Sequence, residues 1–91
     1  MPADLPAPPG LTVTGVQRPN ELVVHFRHPT DLRSAVQYWL AALPRQGFVL
    51  GTGDAEAEEA DIPFSRGPLR GRLKLSVTGA CTIDGLLALT P

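Results

Sequence analysis

With 91 residues and a formal net charge of −1, the chain is long enough for one small domain and carries no excess of positive charge. This balance excludes strong long-range attraction to phosphate backbones or anionic membranes, and a hydrophobic content of 43% argues against disorder of the whole chain. Its single cysteine excludes an intramolecular disulfide and a cysteine metal cluster.

The first ten residues, MPADLPAPPG, are proline-rich, and we expect an N-terminal arm at residues 1–10 before a single domain at 11–91. Proline fixes extended backbone conformations and removes amide donors, so a helix is not expected here. A proline-rich ligand for a partner domain is the alternative. The arm lacks the basic start and the apolar stretch of a secretory signal, which favours a cytoplasmic location, or an envelope location if a signal has been removed. No apolar run reaches the ~18 residues of a membrane-spanning helix.

Two β-branched runs, residues 11–16 and 21–28, flank a turn at residues 18–20 and predict a first hairpin. In the second run, Val24 and Phe26 share one face while Val23, His25 and Arg27 share the other. His25 and His28 could bind one metal ion on a helix, but a strand sends them to opposite faces. No cysteine or carboxylate nearby completes a ligand set, so no metal site is predicted.

After Pro29 the hydrophobic period changes to that of a helix. Thr30 is the predicted N-cap, and Asp31 in the first turn would favour the helix dipole. Gly47 is a natural stop. The predicted apolar stripe consists of Leu32, Val36, Trp39, Leu40 and Leu43.

The segment that follows the helix begins another strand at residues 48–50 and continues as GTGDAEAEEAD. We interpret residues 54–61 as a solvated loop, with a short helix as the alternative because alanine and glutamate favour helices. GTGDAE is similar to a dinucleotide-binding fingerprint, but Glu56 replaces its third glycine and would repel a pyrophosphate. The acidic run also lacks the glycine of a calcium-binding loop, so no cofactor is predicted.

Residues 61–66 and 69–78 predict a second hairpin around a four-residue loop at 65–68, and residues 82–89 predict a final strand. Strict alternation places Arg70, Arg72 and Lys74 on one face of the second of these strands. With this loop, Asp61 faces Arg72, and a slip of two residues in either direction retains at least one acid–base pair.

This alternation decides between two interpretations of the basic face formed by Arg70, Arg72 and Lys74. A nucleic-acid groove presents uncompensated positive charge with aromatic side chains interleaved, and this face has no aromatic residue. The pattern therefore favours a solvated face whose charges compensate one another.

No nucleophile elbow, phosphate-binding loop or catalytic carboxylate pair is found, so the sequence gives no reason to predict an enzyme or a catalytic residue. Cys81 has no basic neighbour in sequence that would activate its thiol, and we expect a buried or half-buried structural cysteine.

The order of features LPAPPGL, a strand, a helix carrying YWLAALPRQGF and further strands resembles small uncharacterised one-helix α+β domains of bacterial envelope lipoproteins. The resemblance implies a fold and no catalytic residue. The sequence differs from those domains in lacking a signal and a lipid-attachment cysteine.

These patterns together predict an α+β fold, in which a five-stranded antiparallel sheet carries one amphipathic helix on one face in the order ββαβββ. One helix cannot cover both faces of such a sheet. Apolar side chains on the uncovered face, among charged ones that include Asp84, indicate a surface for a partner. The residues predicted for this interaction face are Val23, Arg27, Arg72, Lys74 and Leu86.

The expected function is therefore a non-enzymatic protein-interaction or structural module whose partner is another protein or a second copy in a homodimer. The alternative is a small-molecule-binding domain or enzyme with its site between helix and sheet. A third hypothesis is weak nucleic-acid binding through the face of Arg70, Arg72 and Lys74.

Overall fold

The structure is a computed structural model that describes residues 8, 10–17 and 21–90. The described residues form one helix and seven strands, namely β1 (Thr12–Gln17), β2 (Leu22–His28), α1 (Leu32–Arg45), β3 (Val49–Leu50), β4 (Asp54–Ala55), β5 (Glu59–Arg66), β6 (Leu69–Gly79) and β7 (Thr82–Thr90). The sheet is antiparallel with strand order β1-β2-β7-β6-β5-β3, and β4 also pairs with β5. The predicted α+β fold with its single helix is confirmed.

Two predicted segments at the N-terminal side fall largely outside the described residues. Of the arm at 1–10, only Pro8 and Gly10 are described, and the Pro8 carbonyl accepts a hydrogen bond from the Leu11 amide at 3.2 Å. The turn at 18–20 is not described, but its flanking strands β1 and β2 pair as the predicted hairpin.

The sheet has seven strands where five were predicted, and two short strands cover the outer edge of β5. Strand β3 lies within the strand predicted to begin at residues 48–50, whereas β4 was not predicted. Strand β3 pairs at Phe64, strand β4 pairs at Ala60, and between them the Gly51 amide donates to the Pro63 carbonyl at 2.8 Å. The loop predicted at 54–61, and its helical alternative, are wrong for residues 54–55 and 59–60, while Asp61 lies in a strand as the prediction for residues 61–66 requires. Backbone groups along the edge of β5 need partners, and that requirement outweighs the helix propensity of AEAEEA.

The N-cap of α1 is Asp31, so the prediction of Thr30 is wrong by one residue. The Asp31 carboxylate accepts a hydrogen bond from the Ser34 amide at 2.7 Å, which satisfies one of the free donors of the first turn. At the other end, Gly47 has a φ of 85° and the Phe48 amide donates to the Leu43 carbonyl at 3.2 Å. This is a Schellman motif, and it confirms Gly47 as the stop.

Helix α1 buries a stripe that is rotated from the predicted one. Its buried residues are Ala35, Trp39, Ala42 and Leu43. Leu40 was predicted to be in the stripe but is 44% exposed, because the two alanines bring their own side of the helix onto the sheet. Trp39 meets the ring of Phe26 at a centroid distance of 5.7 Å.

Glycines in two central strands admit aromatic rings close to the backbone. Gly85 of β7 pairs with Phe26, and a Cβ atom there would lie 2.1 Å from the ring. Gly71 of β6 pairs with Phe64, and a Cβ atom there would lie 2.3 Å from that ring. Both rings are buried against the sheet, so these two positions require glycine for steric reasons.

The β5–β6 hairpin has a two-residue loop instead of the predicted four. Gly67 is the first loop residue and has a φ of 59°, as the first central position of a type II′ turn requires. The register shifts by two residues, so Asp61 lies opposite Lys74. The predicted retention of an acid–base pair after such a slip is confirmed.

Arg66 lies apart from the other basic residues of this hairpin. Its guanidinium donates to the Gln46 carbonyl at 2.7 Å and lies 4.4 Å from the centroid of the Phe48 ring. It therefore ties the end of β5 to the C-terminus of α1, where a positive charge complements the helix dipole.

Candidate interaction surface

The face of the sheet opposite α1 is not covered by any described element, and we call it the open face. Alternation along each strand assigns its residues, because their neighbours in sequence point to the helix side. The open face comprises Val23, His25 and Arg27 of β2, Glu59, Asp61, Pro63 and Ser65 of β5, Arg70, Arg72, Lys74 and Ser76 of β6, and Asp84, Leu86, Ala88 and Thr90 of β7.

All five residues of the predicted interaction face lie on this surface. Pairing of β2 with β7 and of β7 with β6 brings them together. Val23 lies opposite Ala88, while Leu86 lies opposite both His25 and Lys74. We call Val23, Leu86 and Ala88, which are half-buried, the apolar centre.

Two ion pairs lie beside the apolar centre. Arg27 donates from Nε to Asp84 Oδ1 at 3.0 Å, and Arg72 Nη1 lies 3.4 Å from Asp61 Oδ2. The hydrogen bond to Asp84, together with its negative charge, raises the pKa of Arg27, so this side chain stays cationic. Both pairs are largely exposed, so each contributes little to stability and mainly orients its side chains.

Charge on the open face is divided between two ends along the strands. The basic end carries Arg70 and Arg72 beside an open depression of about 640 Å³ that Glu21 and Thr90 also line. The acidic end carries Asp54, Glu56, Glu59 and Asp61 around a depression of about 310 Å³. In the described part of the chain, Arg70 and Lys74 make no ion pair. The positive charges of the open face are therefore only partly neutralised by acidic side chains of the same chain.

The two histidines and the cysteine of the described residues lie apart from one another. His25 lies exposed on the open face, whereas His28 is buried on the helix side, as the strand assignment predicts. Among residues 8, 10–17 and 21–90, no three or more His, Cys, Asp or Glu side chains are placed to hold a metal ion. Cys81 is exposed at the tip of the β6–β7 hairpin, so the expectation of a buried cysteine is wrong. A two-residue hairpin tip has no packing layer to bury it.

The space between helix and sheet is filled by side chains. Trp39, Leu43 and Leu73 are fully buried there, and both depressions described above are lined from the other side of the sheet or from its edge. A site between helix and sheet, the alternative hypothesis, stays a prediction. In the described residues, no helix is long and apolar enough to cross a membrane.

Two features of the open face depend on strand pairing. Ala88 completes the apolar centre only because β7 lies next to β2, and Asp84 pairs with Arg27 for the same reason. Alternation along residues 82–89 assigned Asp84 to the uncovered face and could have assigned Ala88, which was missed. It could not have placed them beside β2.

Comparison with protein-family models, with curated proteins and with solved structures finds no match. The resemblance to one-helix α+β domains of envelope lipoproteins stays a prediction.

Proposed function

We propose that the protein is a non-enzymatic interaction module that binds another polypeptide through the open face of its sheet. The observation that carries this proposal is the apolar centre, in which Val23, Leu86 and Ala88 lie together on a face that no described element covers. A purely solvated face of an antiparallel sheet would present polar side chains at these alternate positions.

The surroundings of the apolar centre have the anatomy of a protein interface. Specific interfaces combine an apolar core with a polar rim, and they are enriched in arginine at the expense of lysine. Here Arg27 and Arg72 border the apolar centre and are held by Asp84 and Asp61. Because these side chains are already oriented, a partner would find them with less conformational entropy left to lose.

Nucleic-acid binding through Arg70, Arg72 and Lys74 has less support. Arg72 is engaged by Asp61, and Lys74 lies between Asp61 and Leu86 across the sheet. A phosphate chain following β6 would also pass the carboxylates of the acidic end.

Site-specific photo-crosslinking in cells tests the proposal. A photoreactive amino acid at position 88 should yield covalent complexes with a polypeptide, while the same group at Gln37, exposed on the outer side of α1, should not. Absence of a complex from position 88, or the same complexes from both positions, would contradict the proposal.

A matched pair of substitutions sharpens this experiment. Leu86→Asp places a charge in the apolar centre and should abolish the crosslink from position 88. Leu40→Asp makes the same change at an exposed leucine of α1 and should leave the crosslink intact. Far-ultraviolet circular dichroism of both variants would verify that each still folds.

A further inference from the structure

The outermost charges of the open face, Arg70 at the basic end and Glu59 at the acidic end, complement each other but lie too far apart to meet within one chain. Arg70 lies at the basic end between Ser65 and Thr90 and makes no ion pair with a described residue. Ser76 follows it by six residues on β6, roughly 20 Å along the strand. Across the sheet, Ser76 lies opposite Glu59 on one side and Asp84 on the other.

We propose that the partner of the open face is a second copy of this chain, packed face to face about a two-fold axis that runs across the strands. This inference rests on the proposed function of the open face. The axis passes between the levels of Ala88 and Leu86 and reverses the direction of every strand, so the basic end of each copy covers the acidic end of the other.

The residues that meet across this axis follow from the register. Arg70 lies over Ser76 of the second copy, between Glu59 and Asp84 of that copy. In the apolar centre, Ala88 lies over Leu86 of the second copy. Because a two-fold interface is isologous, each contact occurs twice.

The middle of β6 is the least favourable part of this arrangement. There the axis brings Arg72 of one copy towards Lys74 of the other. Asp61 supplies the counter-charge, since it lies 3.4 Å from Arg72 and opposite Lys74 in each copy. Each of the two like charges therefore has a carboxylate beside it.

The area of the open face suits a dissociable dimer. Four strands spaced ~4.8 Å apart and four levels of side chains ~6.8 Å apart give roughly 500 Å² per copy, or about 1,000 Å² in total. This value lies near the lower limit of specific interfaces, and two sheets pack in this way about 10 Å apart. We expect a dimer that separates on dilution and not an obligate one.

Charge reversal tests the orientation directly. Arg70→Glu sets like charges against Glu59 of the second copy, and Glu59→Arg does the same from the other side. Each single variant should weaken dimerisation at least about tenfold. The double variant R70E/E59R restores opposite charges at both symmetric contacts, and its Kd should return to within about threefold of the parent. Since Arg70 and Glu59 are well separated within one chain, only a second copy can produce this rescue.

Sedimentation equilibrium between about 1 μM and about 1 mM measures these constants. All variants carry Cys81→Ser, so that a disulfide through the exposed thiol cannot contribute. Arg33→Glu, a charge reversal on the exposed side of α1, is the matched control and should leave the Kd unchanged.

Each result decides between the dimer and the broader proposal. Loss in both single variants with recovery in the double variant supports the two-fold arrangement. A monomer at every concentration overturns it, and so does a dimer that Leu86→Asp and the single reversals leave intact. If position 88 then crosslinks to a different protein, the proposed function stands while the second copy is excluded. If it crosslinks to nothing, both fail.

Discussion

Gly85→Ala should destabilise the domain although it changes one hydrogen atom into a methyl group. The added Cβ atom would lie 2.1 Å from one carbon of the Phe26 ring and 2.7 Å or less from two others, whereas favourable carbon contacts need about 3.5–4.0 Å. Phe26 is 1% exposed and packs against Trp39, so its ring has no free space to enter.

The expected cost follows from two opposing effects. Forcing an extra methyl group into a packed core costs about 1–3 kcal/mol, and the upper value applies because the ring is confined on both sides. Replacing glycine by alanine also restricts the unfolded chain, which returns about 0.4–1 kcal/mol. The net loss is roughly 2 kcal/mol from a total stability on the order of 10 kcal/mol, and it should lower the Tm by about 8–16 °C.

Urea and thermal denaturation followed by Trp39 fluorescence would measure this loss, because the chain has one tryptophan and it is buried. Gly79→Ala is the matched control, since a Cβ atom there meets Thr82 at 3.6 Å, an ordinary contact. Phe26→Leu should relieve the clash, so the double variant should lose less stability than the sum of the two single variants. A Gly85→Ala protein as stable as the parent would refute this account of the core.

Three further predictions concern α1 and its ends. Trp39→Ala should lower the free energy of unfolding by about 3–5 kcal/mol, whereas Leu40→Ala, at an exposed position, should lower it by less than about 1 kcal/mol. Equal losses of stability in chemical denaturation would contradict the observed rotation of the helix. Arg66→Ala should lower the free energy of unfolding by about 1–2 kcal/mol in the same assay. Arg66→Lys should not restore the stability, because an ammonium group cannot both stack on the Phe48 ring and reach the Gln46 carbonyl. Full recovery with lysine would show that Arg66 acts through its charge alone. Hydrogen bonds from Ser34 lower the pKa of Asp31 in the folded state, so its stabilising effect is complete above the unfolded-state pKa and is lost as pH falls through the lower folded-state value. Thermal melts of Asp31→Ala and the parent should therefore differ at neutral pH and converge in acid, and a constant difference would show that the carboxylate charge is irrelevant.

The fold could be predicted where a pattern repeats over several turns or residues. Strand β6 alternates over ten positions, and the apolar period of the helix extends over twelve, from Leu32 to Leu43, so both elements were predicted from the sequence. The N-cap was missed by one residue because Thr30 and Asp31 are both good caps, and only the observed bond to Ser34 separates them. Strand β4, which was not predicted, has two residues and contains no period at all.

The candidate interaction surface could likewise be predicted only in part. Period-two alternation was enough to place Val23, Arg72 and Leu86 on a common side of the sheet. It could not show that β2 and β7 are neighbours, since that pairing joins parts of the chain more than 50 residues apart. The register around Gly67 likewise depends on the φ angle of one residue, and composition leaves that open.

The central position of β7 has a consequence for how the chain acquires its structure during synthesis. This strand is the last of the seven in sequence, yet it lies between β2 and β6 and is the only described strand that joins the N-terminal hairpin to the β5–β6 hairpin. Both hairpins emerge from the ribosome before it and can form locally, but they have no common sheet until residues 82–90 arrive. The domain should therefore fold late and in one step, and a nascent chain released before Thr82 would expose two unpaired sheet edges to the cell's chaperones and proteases.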